Sequence, residues 1–151
     1  MTAPPPSHPV LDAYPAIAWD IDGTLIDNVN AAFLRDYVRE RRDKAHHVVT
    51  HRLARYAPDT EAMLARHGLP RELLAGIHYC PEPYREAFEY AGDPALVSLF
   101  HAWKGKAAAE SGCGVLVDDR PDLCESGCRA VGVTFLNSWC RSFPRPPGNE
   151  N

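Results

Sequence analysis

The chain has 151 residues, 45% apolar and 24% charged, with 16 basic against 20 acidic side chains and a formal charge of −4. That is the size of one domain able to bury its own core, and the acidic balance excludes a protein that grips nucleic acid through a broad basic face. No apolar run nears the roughly 18 residues of a membrane span. The opening residues lack the basic and apolar regions of a secretory signal. An odd count of five cysteines points to a reducing cytoplasm rather than a disulfide framework.

Along the chain, short apolar runs alternate with amphipathic stretches, which predicts an α/β domain with a mainly parallel sheet. The proline-rich residues 1–14 and the proline-rich tail 141–151 read as disordered, leaving 15–140 as the domain. Ala16-Ile-Ala-Trp19 is the first strand, stopping at an acidic turn. A helix follows over 29–42, with Ala32, Phe33, Tyr37 and Val38 at helical spacing among charges. Strand two is Ala45-His-His-Val-Val49, whose two histidines read as packing residues. A helix over 59–67 closes at Gly68, where glycine tolerates a left-handed cap. Arg71 to Leu74 forms a helical turn, and Gly76-Ile-His-Tyr79 is strand three.

Pro81 and Pro83 predict a break, with 80–93 as a small lid. Asp93 then caps a helix that begins with Pro94 and runs toward Trp103, with Gly105 a point of interruption. Gly114-Val-Leu-Val117 is strand four, Pro121 to Ala130 a helix, and Gly132-Val-Thr-Phe-Leu136 strand five. Cys124 and Cys128, one helical turn apart, read as small buried hydrophobes, with a metal pair as the alternative. The basic run Arg35, Arg39, Arg41, Arg42 and Lys44 reads as a solvated face.

The chemistry concentrates in Asp20-Ile-Asp22-Gly23-Thr24. An apolar strand delivers two carboxylates two residues apart, and strand ends in a parallel sheet open onto the binding crevice. Gly23 permits a sharp turn and Thr24 can hold it by local hydrogen bonding. A second acidic pair, Asp118-Asp119, ends strand four. Phosphate-ester hydrolysis needs a nucleophile, charge neutralisation and a proton for the leaving oxygen. Asp20 is a competent nucleophile, and Asp22 can serve as general acid if its surroundings raise its pKa. So many acids around a phosphate dianion require a hard divalent cation such as Mg²⁺.

The Asp20-x-Asp22-Gly-Thr24 motif resembles the first motif of the haloacid dehalogenase-like hydrolase superfamily, which is mostly phosphatases. Three further motifs fall in order: Thr50 at the end of strand two, Lys104 or Lys106 on the helix before strand four, and the Asp118-Asp119 pair. The Val-Thr50-His51-Arg52 and Val-Asp-Asp-Arg-Pro-Asp stretches are similar to polynucleotide kinase-phosphatase-like and deoxyribonucleotidase-like branches. His51 stands where glycine is common. The resemblance implies a Rossmann-like three-layer sandwich with a five-stranded sheet and a Mg²⁺-dependent phosphomonoesterase acting through an aspartyl-phosphate.

It further implies Mg²⁺ held by Asp20, by the backbone carbonyl of Asp22 and by Asp118, with Asp119 beside them. Thr50 and a lysine would contact the phosphoryl group, Gly23 and Thr24 would shape its site, and Arg52 and Arg120 border the mouth. Only about 20 residues separate Thr24 from strand two, so no large cap is expected. Such an open site suits a phosphate at the end of something large, such as a nucleic-acid terminus or a protein, or relies on a partner subunit for closure; the partner expected is a phosphorylated substrate, small molecule or nucleic-acid end, with no membrane. The alternative function is a non-catalytic or regulatory module of the same fold that binds a phosphorylated partner. The sequence leaves the oligomeric state open.

Overall fold

The computed structural model describes residues 3–144. Five strands form one parallel sheet in the order β3-β2-β1-β4-β5: β1 (Ala16–Trp19), β2 (Ala45–Thr50), β3 (Gly76–Tyr79), β4 (Val115–Asp118) and β5 (Thr134–Asn137). The strand order reverses between β1 and β4, so their carboxyl ends diverge into the crevice where α/β folds bind ligands. The all-parallel α/β architecture matches the expectation, and no cap domain is present among the described residues.

Period-two burial divides the central strands between two cores. On one face Ile17, Trp19, Val48, Val115 and Val117 meet Leu11 of α1 (Pro9–Asp12), Leu34, Tyr37 and Val38 of α2 (Ala31–Glu40) and Leu64 of α3 (Ala57–Arg66). On the other face Ala18, Val49 and Leu116 meet Phe100, Ala107 and Ala108 of α5 (Pro94–Glu110) and Cys124 and Cys128 of α6 (Pro121–Ala130). Both cysteines are buried packing residues, and burial pushes their thiols up. Buried His46 accepts from Trp19 Nε1 at 3.0 Å and donates to the Arg41 carbonyl at 2.9 Å. A neutral ring satisfies both contacts, and burial lowers its pKa accordingly.

The structure departs from expectation at both ends of the chain, in the expected lid and in α5. The proline-rich start is ordered from His8, whose Nδ1 accepts from the Val10 amide and caps α1; Pro9 takes the first helical position that suits proline. His8 stacks on Phe143 with centroids 4.6 Å apart, and Phe143 is itself buried. The two ends of the described chain therefore cover one another and one side of the core. The remaining terminal residues, 1–2 and 145–151, lie outside the described residues.

The expected lid over 80–93 is helix α4 (Glu82–Glu89): Pro81 precedes it and Pro83 sits in its first turn, where neither amide is missed. Finally, α5 runs through Gly105 without a break. That glycine is a close-approach residue, because a Cβ there would lie 2.5 Å from the Gly127 backbone of α6.

Two predictions follow from this packing. Gly105→Ala gains helix propensity of about 1 kcal/mol but drives a methyl into backbone, and overpacking costs about 1–3 kcal/mol; urea denaturation should show net destabilisation. The second concerns Asp12, which accepts from Tyr37 Oη at 2.7 Å and Arg41 Nη1 at 2.6 Å, and also from Ser7. Burial pushes its carboxyl up, but the Ser7, Tyr37 and Arg41 hydrogen bonds prevail and hold it well below the usual range. A depressed folded pKa stabilises above the unfolded value near 3.9 and is lost as pH falls through the folded one. Asp12→Asn should therefore cost about 1–2 kcal/mol at pH 7, and the gap to the parent protein should narrow in urea melts below about pH 4.

Candidate active site

A cavity of about 480 Å³ opens at the carboxyl ends of β1 and β4. Its floor holds the most unusual group in the molecule, the side chain of Lys104 on α5, which is only 2% exposed. Lys104 Nζ donates to Asp20 Oδ1 and to Asp118 Oδ2, both at 2.7 Å, and those carboxylates are 5% and 1% exposed. Burial opposes a charged ammonium, but Asp20 and Asp118 outweigh it and raise the Lys104 pKa. Asp118 also accepts the Arg120 amide at 2.9 Å and the Cys124 thiol at 3.6 Å.

Asp20 is the first residue past β1, and its amide still bonds to the Val117 carbonyl of β4 at 3.0 Å. Its Oδ2 accepts from Thr24 Oγ1 at 3.1 Å. Burial pushes the Asp20 carboxyl up, Lys104 opposes the rise, and Asp118 adds to it. Asp119 is in hydrogen-bonding contact with Asp20 and is raised by its own burial. Gly23 makes this approach possible: it sits at φ +80°, and a Cβ there would fall 2.2 Å from Asp119 Oδ2.

Oxygens of Asp20, Asp118 and Asp119 lie within 4.8 Å of one another. Oxygens trans across one hard cation at 2.0–2.6 Å are roughly 4–5 Å apart, so a single ion fits the group. The charge balance favours it as well. Three carboxylates surround one ammonium, and the excess negative charge must be met by a proton or a cation. An Asp triad that can hold a metal is thus in place, with Asp20 and Asp118 buried and Asp119 partly so.

Most of the residues expected at the site converge. Asp20, Asp22, Gly23, Arg52, Lys104, Asp118, Asp119 and Arg120 line this one cavity. Three do not. Lys106 is two-thirds exposed, lies 4.0 Å from Glu110 and lines a different hollow beside Trp103. This separates the two candidate lysines. Thr24 is fully buried beneath Asp20, between it and Ser138 Oγ at 3.0 Å, so it positions the carboxylate. Thr50 is buried, and its Oγ1 accepts the Arg52 amide at 3.0 Å, shaping the turn after β2.

Asp22 also departs from its expected state. Arg52 grips its carboxylate through two bonds, Nε to Oδ2 at 2.8 Å and Nη2 to Oδ1 at 2.7 Å. Those bonds hold it below the usual carboxylate range, not above it. Arg120 is likewise paired, with Asp122 at 2.8 Å.

Other contributors carried no legible signal. Ser138, just past β5, is fully buried, and Asn28 Nδ2 donates to its Oγ at 3.0 Å and to the Gly23 carbonyl at 2.8 Å. This network ties the motif loop to the far side of the sheet. Arg85, Phe88 and Glu89 of α4 form one wall of the cavity, together with Phe100. Arg85 Nη1 holds the His51 carbonyl at 2.7 Å. The His51 ring stacks on Phe100 with centroids 4.1 Å apart, and Phe88 stacks on the other side at 4.2 Å. Burial lowers His51 to about 2, so its ring is neutral. No protein family, curated protein or solved structure matches this chain.

Lys104→Met should strand two buried carboxylates and cost about 3–5 kcal/mol at pH 7. The loss should shrink in acid, as those groups protonate, and be partly restored by millimolar Mg²⁺ through binding to the folded state. Urea melts with and without the ion provide the measurement.

Proposed function

We propose that the chain is a Mg²⁺-dependent phosphomonoester hydrolase acting through an aspartyl-phosphate on Asp20. The observation that carries this reading is the Lys104 ammonium fixed between Asp20 and Asp118 at the mouth of the sheet. It accompanies four motifs, in order, that resemble those of the haloacid dehalogenase-like phosphatases. Asp20, Asp118 and Asp119 would hold the cation, which would neutralise phosphate charge and so let an anion approach the acids.

In the first step an Asp20 oxygen attacks phosphorus, the bond to the leaving oxygen breaks, and that oxygen takes its proton from Asp22, which recovers one from the attacking water in the second step. Water then attacks phosphorus, releasing phosphate and restoring the carboxylate. Lys104 and Thr24 hold the Asp20 carboxylate in one orientation throughout. Asp22 is the acid nearest in sequence to this position, and it is free to exchange protons once Arg52 turns to the substrate phosphate. No cap covers the cavity among the described residues, which leaves it open to a small phosphorylated molecule or to a phosphorylated nucleic-acid end. The Arg52 clamp on Asp22 favours a second reading, a module that binds a phosphorylated partner without hydrolysing it.

Hydrolysis of an aryl phosphate separates the two. Asp20→Asn should lower turnover on the order of a thousandfold or more, EDTA should abolish it, and Lys106→Ala should leave it unchanged. Mg²⁺-independent turnover, or turnover that survives Asp20→Asn, would exclude the hydrolase. Phosphate-dependent binding with no turnover in the intact protein would favour the binding module.

A further inference from the structure

Away from the acidic cavity, three electron-rich atoms converge where β3 begins. His47 Nδ1 of β2 lies 3.1 Å from His78 Nε2 of β3, and Ser111 Oγ, just past α5, lies 3.1 Å from the same Nε2. The serine proton is committed to the Ala107 carbonyl at 2.9 Å, so its oxygen turns lone pairs toward the imidazole. At most one ring proton can then lie among the three atoms, shared between two acceptors. Burial lowers both histidines, and each ring is neutral.

Two imidazole nitrogens bound cis to one metal at 2.0–2.1 Å stand roughly 2.9–3.4 Å apart, which brackets the separation here. The residue paired with His47 across the sheet is Gly76. A Cβ at that position would lie 3.0 Å from His78 Nε2 and 3.2 Å from His47 Nδ1, so glycine leaves open the space between them. His78 and Ser111 line an open hollow of about 570 Å³ that also admits the largely exposed Glu110 carboxylate.

We propose that His47, His78 and Ser111 form a second metal site, for a borderline transition ion such as Zn²⁺, Ni²⁺ or Cu²⁺. Imidazole nitrogens select such ions over Mg²⁺, so this site differs in chemistry from the all-oxygen Asp triad. Water, with Glu110 swinging inward, completes the coordination. The ion pins the edge strand β3 to β2 and to the end of α5, and the site does not depend on the hydrolase reading.

The test is Zn²⁺ calorimetry on the whole protein, with Cu²⁺ electron paramagnetic resonance to identify the donors. Intact protein should show a binding event that His47→Gln or His78→Gln weakens at least about tenfold, while Asp119→Asn and His101→Gln leave it in place. Cu²⁺ spectra should show coupling to two nitrogens, lost in either histidine variant, and Zn²⁺ should raise the Tm of the intact protein and of the Asp119→Asn and His101→Gln controls more than that of either histidine variant. Gly76→Ala should weaken binding with both histidines retained. Spectra of intact protein without two-nitrogen coupling, or Zn²⁺ binding unchanged in both histidine variants, would reduce the pair to a hydrogen bond and overturn the site. Because the intact protein is read directly, a variant that fails to fold does not obscure the result.

Discussion

The buried ammonium of Lys104 is the constraint on which the site depends. A lone charge at that depth is prohibitive, and it is tolerated because two carboxylates meet it at 2.7 Å from the ends of the neighbouring strands β1 and β4. Asp20 follows β1 and Asp118 ends β4, so the pair spans the point where strand order reverses. With Asp119 beside them, the ammonium is outnumbered, and the remaining negative charge must be met by a proton or a further cation. Stability and the capacity to hold a cation therefore share one cause: acids gathered at one edge of the sheet are held together by a single lysine.

Around that cluster the protein provides rigid support. Thr24 and Asn28 tie the loop that carries Asp20 and Asp22 to Ser138, just past the end of β5. The Arg52 clamp on Asp22 works differently, since it lies at the exposed rim and is open to competition from an arriving anion. The floor is thus preorganised while the rim can rearrange, a division suited to binding a charged group from solvent. The aromatic pile of His51, Phe100 and Phe88 makes the cavity asymmetric, acidic on one side and apolar on the other.

Local pattern carried much of the architecture. β1, β3 and α6 lie where apolar periodicity and turn residues place them, and Asp93 caps α5 with its carboxylate on the Ala95 amide. The misreadings share a cause. Pro81 and Pro83 read as breakers and Pro9 as part of a disordered start, yet proline at or before the first turn removes an amide that has no helical partner. Gly105 resembled an interruption, and only the facing Gly127 reveals it as a crossing point. Leu11 and Phe143 stand in short, proline-flanked stretches, and nothing local shows that they cover the same core.

By itself, then, the order of residues determined the alternation of strands and helices and the spacing that puts Asp20, Asp22, Asp118 and Asp119 at strand ends. Those are consequences of backbone periodicity, which acts over a few residues. Tertiary structure alone decided between Lys104 and Lys106. Two residues apart on a helix, they differ by about 200° in direction, so one side chain enters the acidic floor and the other reaches solvent. It also turned Thr24 and Thr50 inward, paired Asp22 with Arg52, and drew His47 and His78 together across strands far apart in the chain. Each of these depends on which surfaces meet, a property of packing that no short stretch of sequence encodes.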